Sequence, residues 1–305
     1  MNCGYSKYLS REKIVIMDTI TIRKVWLHTE YSGTISMYMN DNNLETYNGN
    51  IHIKVIDINE HGLDPDCTYS LSYLRLLKAK KIDLEKSCFE NDILYHAFEF
   101  IEFLKAYNIK FMYNELYILS GVKELDNAYW NGSYLTFGNG IYNYSNPLTS
   151  PAIVGHELTH AVIQSICNLE YINESGSLNE SYADIVGVMF EFHLKEKNNI
   201  GFELGTECYF DGHSMRSFKD PNSCNQPKSI RDPLYYRGSQ DNGGVHINSG
   251  IINHLFYKLQ LENDKKNILN IFIKVLYKMK HNSTFNDFKR LLLKYIQNRV
   301  IDEIL

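Results

Sequence analysis

The rhythm of hydrophobic and polar positions changes along the chain. In TISMYMN (34–40) Ile35, Met37 and Met39 alternate with polar residues, and in NIHIKVIDI (50–58) Ile51, Ile53 and Val55 do the same. A period of two predicts half-buried strands. Further along the spacing lengthens: Ile93, Leu94, Ala97, Phe98, Ile101 and Leu104 fall on one stripe of a helix predicted over 91–107. Residues 127–147, rich in Gly, Asn and aromatics, predict short strands and turns. Pro151 suits the first turn of a helix running to Ile166. A second helix is predicted over 178–196, with Ile185, Val188, Met189 and Phe192 on its buried side. Residues 198–246 read mostly as loop, and further helices are predicted over 247–260, 265–280 and 285–299. In the last, Thr284 and Asp287 form a capping box, and Phe285, Phe288, Leu292, Tyr295 and Ile296 form the stripe. Strands come first, helices second, and no repeat intervenes. That order predicts a two-lobed α+β protein.

Composition narrows the function classes. With 305 residues, 44% hydrophobic and 22% charged, the chain can bury a substantial core. A net charge of −5 gives no long-range attraction to nucleic acid or anionic membrane. No apolar run reaches the roughly 18 residues a membrane-spanning helix needs. The six cysteines lack any CxxC pairing, although Cys208 and Cys224 are close enough in sequence to bridge.

Candidate chemistry sits in GHELTHAV (155–162). On a helix, His156 and His160 share one face and can converge on a single metal ion, with Glu157 beside them to hold a water. This is the HExxH arrangement of zinc hydrolases. Two histidines leave such a site incomplete, and NESGSLNESYAD (173–184) offers carboxylates. Spacing leaves two readings of it open. Glu180 is a third ligand with Asp184 orienting a histidine one turn away, or Ser177 and Glu180 merely form a capping box.

GHELTHAV followed by YINESGSLNESYADIVG resembles the thermolysin-like metallopeptidase family, which places its zinc glutamate twenty residues after the second histidine, here Glu180. NAYWNGSYLTFGNG (127–140), MRSFKDP (215–221) and DNGGVHINSGIIN (241–253) continue the likeness in family order, so that it spans about 90–300. The resemblance implies a β-rich lobe of residues 1–161 that includes the HELTH helix, and an α-helical lobe of 162–305. It implies that His156, His160 and Glu180 ligate one zinc, that Glu157 is the general base, and that Asn179 and Asp184 orient the histidines. Tyr171 and His246 would donate to the oxyanion, with Asp241 paired to His246 and Arg216 contacting the substrate carbonyl. Asn127, Ala128 and Trp130 would grip the peptide backbone, and Ile153, Leu204 and Met215 would form a pocket for a bulky apolar residue after the scissile bond. A monomer acting on a peptide or protein substrate, without nucleic acid, is the expectation. A non-catalytic descendant that binds a peptide or partner is the alternative.

The chain also departs from that family. Relatives with structural calcium use acids where this chain has Ala152, Thr206 and His213, although Glu191 remains, so calcium is doubtful. The start, MNCGYSKYLSREKIVIMDTI, carries charges where a signal peptide needs an apolar core. The expectation is a cytoplasmic protein or one exported by a non-classical route, though many relatives are secreted. Cys3 is a terminal thiol that could reach the metal, but such thiols are more often incidental.

Overall fold

The alternating segments form strands, and the 3.6-period segments form helices around them. The computed structural model describes residues 13–17, 20–29, 33–40, 43–81, 88–123, 125–139, 148–195, 201–209 and 212–305. Cys3 lies outside these. Strands β1 (Lys13–Met17), β2 (Ile20–Thr29) and β3 (Gly33–Asn40) make an antiparallel meander. Next come β4 (Glu45–Asn48), β5 (Ile51–Asp57), α1 (Ile58–His61), α2 (Leu71–Leu76), α3 (Phe89–Ala106), β6 (Glu115–Val122), β7 (Ala128–Trp130) and β8 (Leu135–Gly138). The five strands form a second sheet in the order β4-β5-β6-β8-β7, with β5, β6 and β8 parallel.

Parallel neighbours need a crossover, and α3 lies in the connection from β5 to β6. Ile53, Val55, Leu116, Ile118, Leu135 and Phe137 belong to the main core together with α3. Ile56, Tyr117 and Leu119 belong to a second cluster closed by Leu74 and Tyr134. Both faces of the sheet are covered, so the polar half of the alternation is weaker than a period of two predicts.

The second half is helical. It contains α4 (Pro151–Ile166), α5 (Asn173–Lys195), the short antiparallel pair β9 (Glu203–Leu204) and β10 (Arg216–Ser217), then α6 (Asp241–Asn248), α7 (Gly250–Glu262), α8 (Lys265–Leu276), α9 (Phe285–Leu292) and α10 (Arg299–Ile304). Pro151 begins α4 as its position predicts. The division expected between 161 and 162 falls inside that helix, where Ala161 and Val162 are both buried. Helix α5 starts five residues earlier than predicted, and α9 ends at Leu292, leaving Tyr295 41% exposed. Phe192 is half-buried, with the Lys265 ammonium 3.5 Å above its ring. The capping box of Thr284 and Asp287 is present. Among the described residues no helix is long and apolar enough to cross a membrane.

Helices α4 and α5 cross at a pair of glycines. A Cβ on Gly155 would lie 3.1 Å from the Gly187 Cα, and one on Gly187 would lie 2.3 Å from the Ala152 carbonyl oxygen. Backbone meets backbone there, which brings the facing side chains of the two helices within ligand distance of one another.

Candidate metal centre and cleft

One turn of α4 separates His156 from His160, and their rings meet edge to face, 4.7 Å between centroids. The two Nε2 atoms are 3.1 Å apart. From α5, Glu180 puts Oε2 3.5 Å from His156 Nε2 and Oε1 3.5 Å from His160 Nε2. The opposite ring edges are engaged: His160 Nδ1 lies 2.9 Å from Asn179 Oδ1, and His156 Nδ1 lies 2.8 Å from Asp184 Oδ1. With each Nδ1 proton turned toward an acceptor, the Nε2 lone pairs face inward.

This donor set fits a zinc ion. Four ligands at about 2.0–2.1 Å in a tetrahedron are about 3.3 Å apart, close to the spacings here. Glu180 Oε2 is buried with no hydrogen-bond partner among the described residues. Inward lone pairs and a carboxylate repel one another until a cation or a proton joins them. The titration of the histidines reflects that conflict. Burial lowers His156, but the Asp184, Glu180 and Glu157 carboxylates more than reverse the effect. His160 is pushed down to about 4 by burial, with the charge of His156 adding to it. Burial raises Glu180, yet electrostatic attraction to the neighbouring histidines, His156 first, and to Arg216 holds it below its usual value.

Asp184 is shared. Besides facing His156, its Oδ1 accepts from Arg216 Nη2 at 2.7 Å, and its Oδ2 accepts from Asn253 Nδ2 at 2.7 Å. Burial raises its carboxyl, but the Arg216 charge and His156 outweigh that and keep it ionised. Glu157, almost fully buried, accepts from the Trp130 backbone N–H of β7 at 3.1 Å and sits 4.0 Å from His156 Nε2. Burial pushes it up to about 7.

Across the cleft, the Tyr171 hydroxyl donates to Glu180 Oε1 and lies 3.1 Å from His246 Nε2. Burial first, then the Glu180 charge, raises the phenol, so it remains a donor at neutral pH. His246 Nδ1 is 2.6 Å from Asp241 Oδ1, and Asp241 Oδ2 accepts the His246 backbone N–H at 2.9 Å. That double contact depends on the opening of α6, where Asp241, Asn242, Gly243 and Gly244 have φ of 52°, 48°, 86° and 81°. Two glycines in succession make such a left-handed run tolerable.

The cleft between these groups encloses 540 Å³. Of the residues expected along it, Asn127, Ala128, Trp130, Ile153, Met215 and Arg216 line it. Leu204 is fully buried and stands behind the wall, its carbonyl accepting from Met215 N at 2.8 Å. Several contributors were not singled out from sequence. Asn253 braces Asp184, Gln164 accepts the Trp130 indole N–H at 2.8 Å, and Gln226 donates to the His246 carbonyl at 2.6 Å. Asn253 lies inside DNGGVHINSGIIN and was open to discovery. Gln226 carries no local signal.

At the far end of α5, Lys195 donates to Glu191 and, at 3.2 Å, to Glu207. Burial and the Glu207 charge push Glu191 up to about 7 while Lys195 pulls it back. The His213 ring lies tilted against Tyr209, 3.8 Å between centroids, and Ala152 is buried in the first turn of α4. Cys208 and Cys224 are free thiols.

These features agree with the relatives. Residues 19–164 match the thermolysin metallopeptidase catalytic domain, and residues 167–300 match the thermolysin metallopeptidase alpha-helical domain. Bacillolysin of Bacillus cereus and thermolysin of Alicyclobacillus acidocaldarius are each 42% identical over 138 residues, 44% of this chain. The match spans only 24% of the length of either relative. In three dimensions the precursor of protealysin, a metalloproteinase from Serratia proteamaculans, superposes with a TM-score of 0.67 at 23% identity, covering 85% of this chain and 87% of that one. That likeness carries the two-lobed fold. With both domains of one family matched in order around this centre, the chain belongs to the thermolysin metallopeptidase family.

Proposed function

We propose that the protein is a zinc-dependent endopeptidase that hydrolyses internal peptide bonds. The observation that carries this reading is the convergence of His156, His160 and Glu180, each with an inward ligand atom, beside a buried carboxylate and two hydrogen-bond donors. Zinc held there would polarise the peptide carbonyl and acidify a water. Glu157 takes the proton from that water and passes it to the leaving amine. Tyr171 and His246 donate to the carbonyl oxygen as negative charge develops on it. Donors preset in this way are worth about 3–4 kcal/mol each where measured. Asp241 holds the His246 ring through Nδ1, so that Nε2 is aimed at the substrate carbonyl. Asn179 and Asp184 orient the ligand histidines. Arg216, fixed by Asp184, reaches the substrate carbonyl. Asn127, Ala128 and Trp130 carry the peptide along the edge of β7. Ile153 and Met215, with Leu204 packed behind them, favour a bulky apolar residue after the scissile bond.

Measuring zinc content and cleavage of a quenched peptide library tests this. The expected result is one zinc per chain and cleavage before Leu or Phe, abolished by a chelator. In His160→Ala and Glu180→Ala both zinc and cleavage are lost. A zinc-loaded protein that binds the peptides but cleaves none overturns the reading in favour of a binding module.

The same reading includes independence from calcium. Lys195 supplies the positive charge between Glu191 and Glu207, and Ala152 offers no carboxylate. Calcium is expected to leave the melting temperature of the wild type unchanged. Removing one partner of a buried pair costs about 3–5 kcal/mol. Lys195 is one-quarter exposed, so Lys195→Met sits at or below the low end of that range. Differential scanning calorimetry with and without calcium checks both points, and a calcium-dependent rise of many degrees in the wild type would contradict them.

A further inference from the structure

We propose that His281, together with Glu170, is a positioning residue for Tyr171. This rests on the peptidase reading above, in which the Tyr171 hydroxyl acts on the substrate. Tyr171 stands in the connection from α4 to α5 and is 42% exposed, its ring meeting those of His160 and His246 edge on at 6.0 and 6.1 Å. Its direction is set by how the backbone of residues 168–172 is held. Asn168 ends α4 with φ of 47°, its N–H bonded to the Ile163 carbonyl at 2.8 Å, so its own carbonyl points away from the helix.

The turn between α8 and α9 captures that carbonyl. His281 Nδ1 donates to it, while His281 Nε2 lies 3.2 Å from Glu170 Oε1. The Glu170 N–H donates to the His281 carbonyl at 2.8 Å. Both ring nitrogens face acceptor oxygens. On the inner side Asn179, which orients His160, donates to the Leu169 carbonyl at 3.3 Å. Ser175 Oγ donates to the Glu170 and Ile172 carbonyls at 2.9 and 2.8 Å. The segment bearing Tyr171 is thus gripped from inside by α5 and from outside by one imidazole. His281 is the outer clamp, more than 100 residues away in sequence and half-exposed, so the core does not depend on it.

His281→Ala removes the ring contacts and leaves the backbone bond from Glu170 to residue 281, so the turn survives. Misplacing a positioned group by about 1 Å costs up to about 100-fold in rate, and the expected loss in kcat for this variant is about tenfold with KM little changed. The deciding measurement is a double-mutant cycle on the zinc-loaded protein with Tyr171→Phe. Once the hydroxyl is gone, His281→Ala should add nothing, so Tyr171→Phe/His281→Ala matches Tyr171→Phe. Losses that multiply, or a His281→Ala variant as active as the wild type, overturn the proposal. Hydrogen exchange supplies a second readout that does not need activity. Amides of residues 168–172 should exchange faster in His281→Ala while those of α4 and α5 do not, and unchanged exchange at 168–172 also overturns it. A wild type that cleaves nothing defeats the peptidase reading alone, and exchange then judges the clamp.

Discussion

Replacing Glu157 with Gln is expected to leave a folded, zinc-loaded protein whose peptide cleavage falls by about 10²–10⁴-fold, the range that a positioned general base contributes. The amide keeps the shape of the carboxylate. Its oxygen still accepts the Trp130 N–H, so the contact between α4 and β7 remains. What it lacks is a basic site for the proton of the attacking water. Stability should not suffer. Folding raises the Glu157 carboxyl from its ordinary 4.5 to about 7 through burial, so in the metal-free protein ionisation costs stability as pH climbs through that window. Glutamine carries no such cost, and the melting temperature near neutral pH should hold or rise. His160→Ala loses the metal together with the activity, so comparing zinc content in the two variants separates ligand from base. Cleavage by Glu157→Gln within a few-fold of the wild type would remove Glu157 from its assigned role.

The reach of the sequence can be judged residue by residue. Pro151, the HELTH spacing and the capping box of Thr284 and Asp287 are local signals, and local geometry honours them. Ser177 shows where such signals mislead. It has the spacing of a cap to Glu180, yet its Oγ donates to the Asn173 carbonyl inside a helix already under way. The first turn of α5 carries Asn, Ser and Gly, poor helix formers, and Gly176 packs closely against Val245 of α6. The apolar stripe of 285–296 likewise reports a face but not where the helix stops. Leu204 was expected in the cleft from the resemblance; it is fully buried in a strand paired with Arg216 and does not line the cleft. The candidate ligands were legible because HExxH is periodic. Their closeness to Glu180 was legible only through the family resemblance, because spacing alone does not say how near two helices can approach.

That approach makes Gly187→Ala a damaging substitution for both the fold and the site. Alanine in a helix interior normally stabilises by about 0.5–1 kcal/mol relative to glycine. Here the new Cβ would sit 2.3 Å from the Ala152 carbonyl oxygen and 3.0 Å from the His156 amide nitrogen. Both are backbone atoms of α4 and cannot rotate aside, so the helices must separate by about 1 Å to restore contact distances of about 3.5 Å. Overpacking of this kind costs about 1–3 kcal/mol, enough to outweigh the helical gain and lower the melting temperature by several degrees. The displacement also falls directly on the ligands. His156 is on the strand of backbone that is pushed, and Glu180 is two turns before residue 187 on the other helix. Metal sites tolerate errors of only about 0.2 Å in ligand distance, so zinc affinity should fall by at least about tenfold and cleavage with it. Gly155→Ala is the control, because its methyl meets the Phe190 ring at 3.0 Å and the Gly187 Cα at 3.1 Å, a milder overlap that calls for a smaller shift. Calorimetry and zinc titration of the two variants read the difference. Full zinc affinity and an unchanged melting temperature in Gly187→Ala would mean that the crossing of α4 and α5 does not set the geometry of the site.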